Sequence, residues 1–145
     1  MLVLQGPIRS VYSERVWDQL CETCRTQIMP ILLPGCIVCG RVEKCGGLGI
    51  CFDCARVPTK SRIYNRSVVE YTESIRQMVH IFKYKGNVKL AEPLGSWMAE
   101  LFLRELSNKG ISLITFVPLA DDRLCERGFN QAEEIAKVLA RKKGI

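Results

Sequence analysis

Three Cys-x-x-Cys pairs carry the clearest chemistry in this sequence: Cys21/Cys24, Cys36/Cys39 and Cys51/Cys54. Two-residue spacing lets both sulfurs of a pair grip one ion from a tight turn whose amides also donate to the sulfurs. Two such pairs supply the four thiolates of a tetrahedral Zn2+ site. Adjacent pairs are separated by the same eleven residues, and Cys45 lies midway between the last two. Gly40, directly after Cys39, suits the positive φ that closes such a turn. The first choice of ligands is Cys36, Cys39, Cys51 and Cys54, with Cys45 spare. Cys21 and Cys24 then form a second, partial site or remain thiols. A set joining Cys21/Cys24 to Cys36/Cys39 has an identical loop length, so the spacing leaves both sets open. Four thiolates close the coordination shell, and the single histidine, His80, lies far along the chain. The zinc is therefore expected to be structural and not hydrolytic.

Elsewhere the chemistry is sparser. His80 alone makes no Ser-His-Asp set, and neither a Walker A sequence nor GxGxxG occurs. Cys125 sits among charged residues with no sign of activation. The informative polar segment runs from Pro118 to Gln131, between an apolar run and a helical pattern. Ligands of open α/β sheets bind at that edge, and helix N-termini favour anions. Arg123 and Arg127 are placed to meet phosphate there, or else to pair with Asp121, Asp122 or Glu126.

The elements that would position these residues follow from periodicity. Ser67–Tyr71 has strand composition. Ile75, Met78, Val79 and Phe82 recur at helical spacing after Thr72 or Ser74 as cap, and Gly86 ends that helix after Lys83-Tyr84-Lys85. A second helix carries Leu90, Leu94, Trp97, Met98 and Leu101 on one face, with Pro93 in its first turn and Gly110 as its stop. Ile111–Val117 is a continuous apolar run, the pattern of a strand buried on both faces. A polar loop from Ala120 to Phe129 then leads to a third helix, capped by Asn130, with Ala132, Ile135, Ala136 and Leu139 inward. This order predicts an α/β fold with a parallel sheet, of which these residues supply the first, incomplete half.

Cysteine density divides the chain into a cysteine-rich zinc ribbon, residues 1–60, and an α/β segment, residues 61–145. With 145 residues, 48% hydrophobic and 25% charged, the composition is that of a globular protein. The longest uncharged stretch, Gln27 to Gly40, is broken by Pro30, Pro34 and Gly35 and is too short to span a bilayer. The first ten residues lack a basic start and a long apolar core, so a cytoplasmic address is expected, without membrane insertion. The formal charge is +6. One zinc held by four thiolates would lower it by two, to about +4, which permits weak affinity for nucleic acid without demanding it.

The cysteine module, IRQMVHIFKYKGNVKLAEPLG and FVPLADDRLCERGFNQAEEIAKVLA together resemble the ComF family of late-competence proteins over roughly residues 21–145. The resemblance implies a double zinc ribbon joined to a type I phosphoribosyltransferase-like domain. It also implies a role in DNA uptake during natural transformation, near a DNA-translocating helicase/ATPase. It points to Cys36, Cys39, Cys51 and Cys54 as zinc ligands. Lys83, Lys85, Arg123, Arg127, Gly128, Asn130 and Gln131 match the family's signature positions and are the candidates for contacting phosphate or DNA. The sequence departs from the family at two places. No cysteine precedes Cys21, and after Gln131 there is no acidic pair followed by a Thr-Thr-Gly-like turn, the loop that holds phosphoribosyl pyrophosphate. The chain as it stands is thus expected to be truncated and inactive in phosphoribosyl transfer. A different reading is a non-catalytic zinc-ribbon module that binds single-stranded DNA or a helicase partner.

Overall fold

The computed structural model describes residue 18 and residues 20–31, 35–42 and 49–144. They fall into two compact units, one built from the chain up to Ile28 and from Tyr71 onward, the other from Met29 to Glu70. The described residues hold six α-helices: α1 (Glu22–Gln27), α2 (Phe52–Arg56), α3 (Glu73–Tyr84), α4 (Ala91–Glu105), α5 (Asp121–Arg127) and α6 (Gln131–Lys143). Short 3-10 turns at Thr59–Ser61, Val88–Leu90 and Ser107–Lys109 link them.

Three of these helices lie where the apolar spacing and the caps put them. Thr72 caps α3, its hydroxyl accepting from the Ile75 amide at 3.5 Å, and Ile75, Met78 and Phe82 are buried. Pro93 sits in the first turn of α4, where its missing N–H costs nothing. Asn130 caps α6, accepting from the Ala132 and Glu133 amides at 2.9 and 3.4 Å. The inward faces differ in detail from the expected stripes. Met98 is exposed, whereas Gly95, Ser96 and Ala99 are buried with Trp97 on α4. On α6, Val138 joins Leu139 in the interior and Ala132 is exposed. Small residues on α4 explain this: they let α6 approach closely, and the close approach selects which side chains are covered.

Phe82, Ala91 and Val138 form the core of this unit, with Leu90, Leu94, Phe129 and Ile135 packed around them. The Phe82 and Phe129 rings lie 5.7 Å apart, tilted by 44°, within the range in which aromatic pairs attract. The tightest point is Gly95. A Cβ there would stand 2.6 Å from both Cβ and Cγ1 of Val138 and 3.1 Å from the Ile135 carbonyl oxygen. No rotamer change moves a Cβ, so only glycine fits between α4 and α6.

The expected strands are corrected. Ser67–Tyr71 contributes only one antiparallel bridge, Val69 with Pro30, flanked by Ile31 N–H to Val68 O at 3.0 Å and Glu70 N–H to Met29 O at 2.8 Å. Ile111–Val117 has no regular secondary structure and is not buried on both faces, with Leu113 77% and Val117 79% exposed. A strand needs a neighbour to take its amides and carbonyls, and among the described residues no strand lies beside this run. The described residues are therefore mostly helical, with a cysteine cluster. The expected loop at Ala120–Phe129 is also corrected, because Asp121–Arg127 is helical. None of the described helices is long and apolar enough to cross a membrane.

Gly95→Ala should lower the unfolding free energy by about 1–3 kcal/mol, the usual cost of overpacking a filled site. Met98→Ala, at an exposed position of the same helix, should cost less than about 0.5 kcal/mol. Denaturant melts of the two variants check the contrast; equal effects would show that α4 and α6 do not meet at Gly95.

Candidate metal centre

Within the Met29–Glu70 unit the second and third cysteine pairs converge. The Sγ atoms of Cys36, Cys39, Cys51 and Cys54 all lie within 4.8 Å of one another, with Cys36 and Cys51 buried and Cys39 and Cys54 half-buried. Each pair reaches the cluster from a different local structure. Cys36–Cys39 is a turn closed by Gly40 N–H to Cys36 O and by Cys36 N–H to Arg41 O, both at 3.0 Å. Gly40 has φ 73°, and a Cβ there would lie 2.8 Å from the Asn65 carbonyl oxygen, so the position admits only glycine. Cys51 is the N-cap residue of α2, which places Cys54 in the first turn of that helix. Ile37 N–H to Gly49 O, 2.9 Å, ties the two pairs together.

The spacing fits a tetrahedral ion. Four sulfurs at ~2.3 Å from one centre lie ~3.8 Å from each other, and Cys39 Sγ and Cys51 Sγ are 3.7 Å apart. The protonation of the cluster points the same way. The Cys51 amide, 3.4 Å from Cys36 Sγ, together with the Cys39 and Val38 amides, outweighs burial and holds the Cys36 thiol down at about 5. Burial, followed by the thiols of Cys51, Cys39 and Cys36, pushes Cys54 up to about 12. Without a cation the cluster thus resists accumulating negative charge, and a divalent cation relieves this by stabilising four thiolates together. Four sulfur donors suit a thiophilic ion with tetrahedral preference and leave no position for a reacting water.

Two residues brace the first turn from outside. Asn65 donates from its backbone N–H to Val38 O at 2.9 Å and from Nδ2 to Cys39 O at 3.1 Å. The Arg66 guanidinium donates to Ile37 O at 2.8 Å and lies 3.9 Å from the Tyr64 ring centroid. Arg41 pairs with Asp53 on α2 at 2.8 Å. No spacing or periodicity marks Asn65 and Arg66 in the sequence; their role comes from the chain folding back over the turn.

The remaining described candidates lie in the other unit. Cys21 is exposed and Cys24 half-buried, at the start of α1. Cys45 lies outside the described residues. Lys83 and Lys85 stand at the C-terminal end of α3, with no carboxylate partner among the described residues. Arg123 pairs with Glu126 at 2.7 Å, one of the partners its sequence neighbours offered. Arg127 donates to Gln131 Oε1 at 3.0 Å and to the Tyr84 hydroxyl at 3.3 Å, and its guanidinium lies 4.9 Å from the Tyr84 ring centroid. Gly128, φ 75°, ends α5. Asn130 is buried and donates from Nδ2 to Val117 O at 3.1 Å. The structure thus joins the Lys83–Lys85 turn to Arg127 through Tyr84, a contact the sequence alone did not suggest. Its only sequence signal is an aromatic residue between two lysines.

Comparison with known proteins places these features in context. No protein-family model matches the chain, and no solved structure matches it. Competence protein ComFC of Bacillus subtilis (strain 168) is 28% identical over 138 residues, covering 92% of this chain and 56% of that protein. The DNA utilization proteins YhgH of Salmonella typhimurium (strain LT2) and Salmonella typhi are each 30% identical over 139 residues, covering 83% of this chain and 60% of theirs. The chain spans 56–60% of the length of these curated relatives. The resemblance read from the sequence is borne out: over nearly all of its length this chain is similar to Competence protein ComFC, and it gathers four cysteines into one cluster with the donor set of a metal site.

Proposed function

We propose that this chain is a ComF-like protein of DNA uptake in natural transformation, with a structural zinc ion held by Cys36, Cys39, Cys51 and Cys54. The similarity to Competence protein ComFC over 92% of the chain carries the first part. The closed set of four sulfurs carries the second. Zinc is the ion of choice because it takes tetrahedral thiolate sites without redox chemistry. On this reading residues 61–145 are the N-terminal part of a phosphoribosyltransferase-like domain. What supports that finer assignment is the family resemblance. The proposed partner is a competence helicase/ATPase working on single-stranded DNA.

A second reading, a non-catalytic module that grips single-stranded DNA, is favoured by one specific arrangement. Tyr84 is half-exposed between Lys83 and Lys85, with the His80 ring 5.0 Å away and the Arg127 guanidinium beside it. An exposed ring suits a base, and lysines without an acidic neighbour suit phosphates. The two readings are compatible, since DNA contact by this end of α3 would serve uptake.

Four outcomes test these proposals. Metal analysis should find zinc in the cluster, and Cys51→Ser/Cys54→Ser should lose it. Calorimetry of zinc uptake at pH 7, repeated in buffers of different ionisation enthalpy, should show proton release, because Cys54 enters the site as a thiol. The sign follows: affinity falls as pH falls, since protons compete for the sulfurs. Disrupting the gene in its host should lower transformation frequency. A wild-type copy should restore it and a Cys36→Ser/Cys39→Ser copy should not; an unchanged frequency would sink the uptake role. Finally, Lys83→Gln/Lys85→Gln should weaken single-stranded DNA binding and make the log–log salt slope shallower by about 1.4, roughly 0.7 for each phosphate contact removed.

A further inference from the structure

The two arginines of α5 are held in opposite ways. Arg123 is neutralised by Glu126 at 2.7 Å. Arg127 donates from Nη1 to Gln131 Oε1 at 3.0 Å and from Nη2 to the Tyr84 hydroxyl at 3.3 Å. Its guanidinium lies 4.9 Å from the Tyr84 ring centroid. Each of these partners is electrically neutral. The acids that follow in the sequence, Glu133 and Glu134, pair with Lys137 at 3.0 and 2.8 Å. An arginine that served only to tie α3 to α6 would gain more from a carboxylate than from an amide. An amide positions the cation and leaves its charge available.

Gln131 is built for that task. It is only 6% exposed, and its Nε2 donates to the Phe129 carbonyl at 3.4 Å. With the amide nitrogen turned to a carbonyl, the amide oxygen faces Arg127. Gly128, at φ 75°, turns the chain between α5 and α6, where Arg127 and Gln131 meet. The first turn of α6 is not itself an anion site. Asn130 Oδ1 already accepts from the Ala132 and Glu133 amides, and two glutamates occupy that turn. Positive charge here comes from Arg127. A guanidinium has five N–H groups, so after these two bonds each terminal nitrogen keeps one for a further acceptor.

We propose that Arg127 contacts a phosphate of single-stranded DNA and that Gln131 is its positioning residue, holding the guanidinium beside Tyr84 without neutralising it. Lys83 and Lys85 flank the same half-exposed ring. A strand with a base against Tyr84 would then present its neighbouring phosphates to three cations. Gln131 and Asn130, both buried, shape the site without touching the strand. The inference rests on reading this end of α3 as a single-strand contact.

Binding of a fluorescent oligothymidylate to the full chain with zinc, over a range of salt concentrations, tests it. Arg127→Gln should weaken binding about tenfold, the usual worth of a charge-assisted hydrogen bond. The log–log salt slope should become shallower by about 0.7. Gln131→Glu keeps the acceptor but sets a carboxylate on the guanidinium. It should lose affinity and slope as Arg127→Gln does, while its thermal midpoint stays at or above that of the wild type. Gln131→Met, of similar size but without the acceptor, should weaken binding by itself and add nothing in the Arg127→Gln background. Tyr84→Phe keeps the ring and removes the second acceptor; should the Gln131 variants melt early, it takes their place in the same cycle. Wild-type affinity and slope in Arg127→Gln would overturn the phosphate contact. Wild-type binding by Gln131→Glu, or a Gln131→Met loss that persists without Arg127, would overturn the positioning role. Loss in Lys83→Gln/Lys85→Gln with none in these variants would sink this inference alone. A wild-type chain that does not bind the strand would remove the reading beneath it as well.

Discussion

Four sulfurs within 4.8 Å of one another cannot all be ionised unless a cation stands among them. The described part of the Met29–Glu70 unit is organised around that constraint, because few of its described apolar residues are buried. Among its described residues the buried apolar ones are Ile31, Cys36 and Cys51, while Met29, Ile37, Val42, Phe52, Val57, Ile63 and Tyr64 are exposed. Chains of about 40 residues bury too little surface to offset their conformational entropy and use a metal or disulfides instead. Here the cluster of four cysteines stands where a hydrophobic core would be. Asn65, Arg66 and the Arg41–Asp53 pair then hold the cysteine turns in register for it. An ion bound there would couple metal binding to folding of this unit.

The helical unit is stabilised by the opposite means. Its core is apolar, and its decisive feature is the absence of a side chain at Gly95, where Val138 and the Ile135 carbonyl come closest. Two buried polar side chains of this unit, Ser96 and Asn130, are satisfied locally. Ser96 returns its hydroxyl to Glu92 O at 2.6 Å, which gives a buried hydroxyl on the α4 face its partner. Asn130 caps α6 with its oxygen and secures Val117 with its amide, so one buried side chain fixes both the start of a helix and the end of the preceding segment.

What could be read from the sequence separates along the same line between local and distant interactions. α3, α4 and α6 announce themselves through spacing and caps, since both operate within a few residues. The cysteine cluster was legible because two-residue spacing is also local, but choosing between the candidate sets was not, for that depends on how the chain folds back. Ile111–Val117 shows the limit most clearly. Its composition is that of a buried strand, yet a strand's burial is conferred by neighbours that its own residues do not encode. α5 was missed for a different reason. It buries no residue, so it leaves no apolar stripe; what favours it is Asp121 and Asp122 in the first turn and Arg127 in the last, the arrangement that complements a helix dipole.

The formal charge of +6 says least by itself, because many of the cations are engaged by carboxylates. Arg25 pairs with Asp18, Arg41 with Asp53, Arg76 with Glu73, Arg123 with Glu126, Lys137 with Glu133 and Glu134, and Lys142 with Glu92. Such exposed pairs add little stability, but they cancel the field that would otherwise attract polyanions. The two lysines at the end of α3 are different: among the described residues no acid neutralises them, and Arg127 reaches the same place through Tyr84. Three cations thus gather at one helix end around a half-exposed ring. Affinity for a polyanion depends on such local groupings of charge, and the excess of Lys and Arg over Asp and Glu is a poor guide to it.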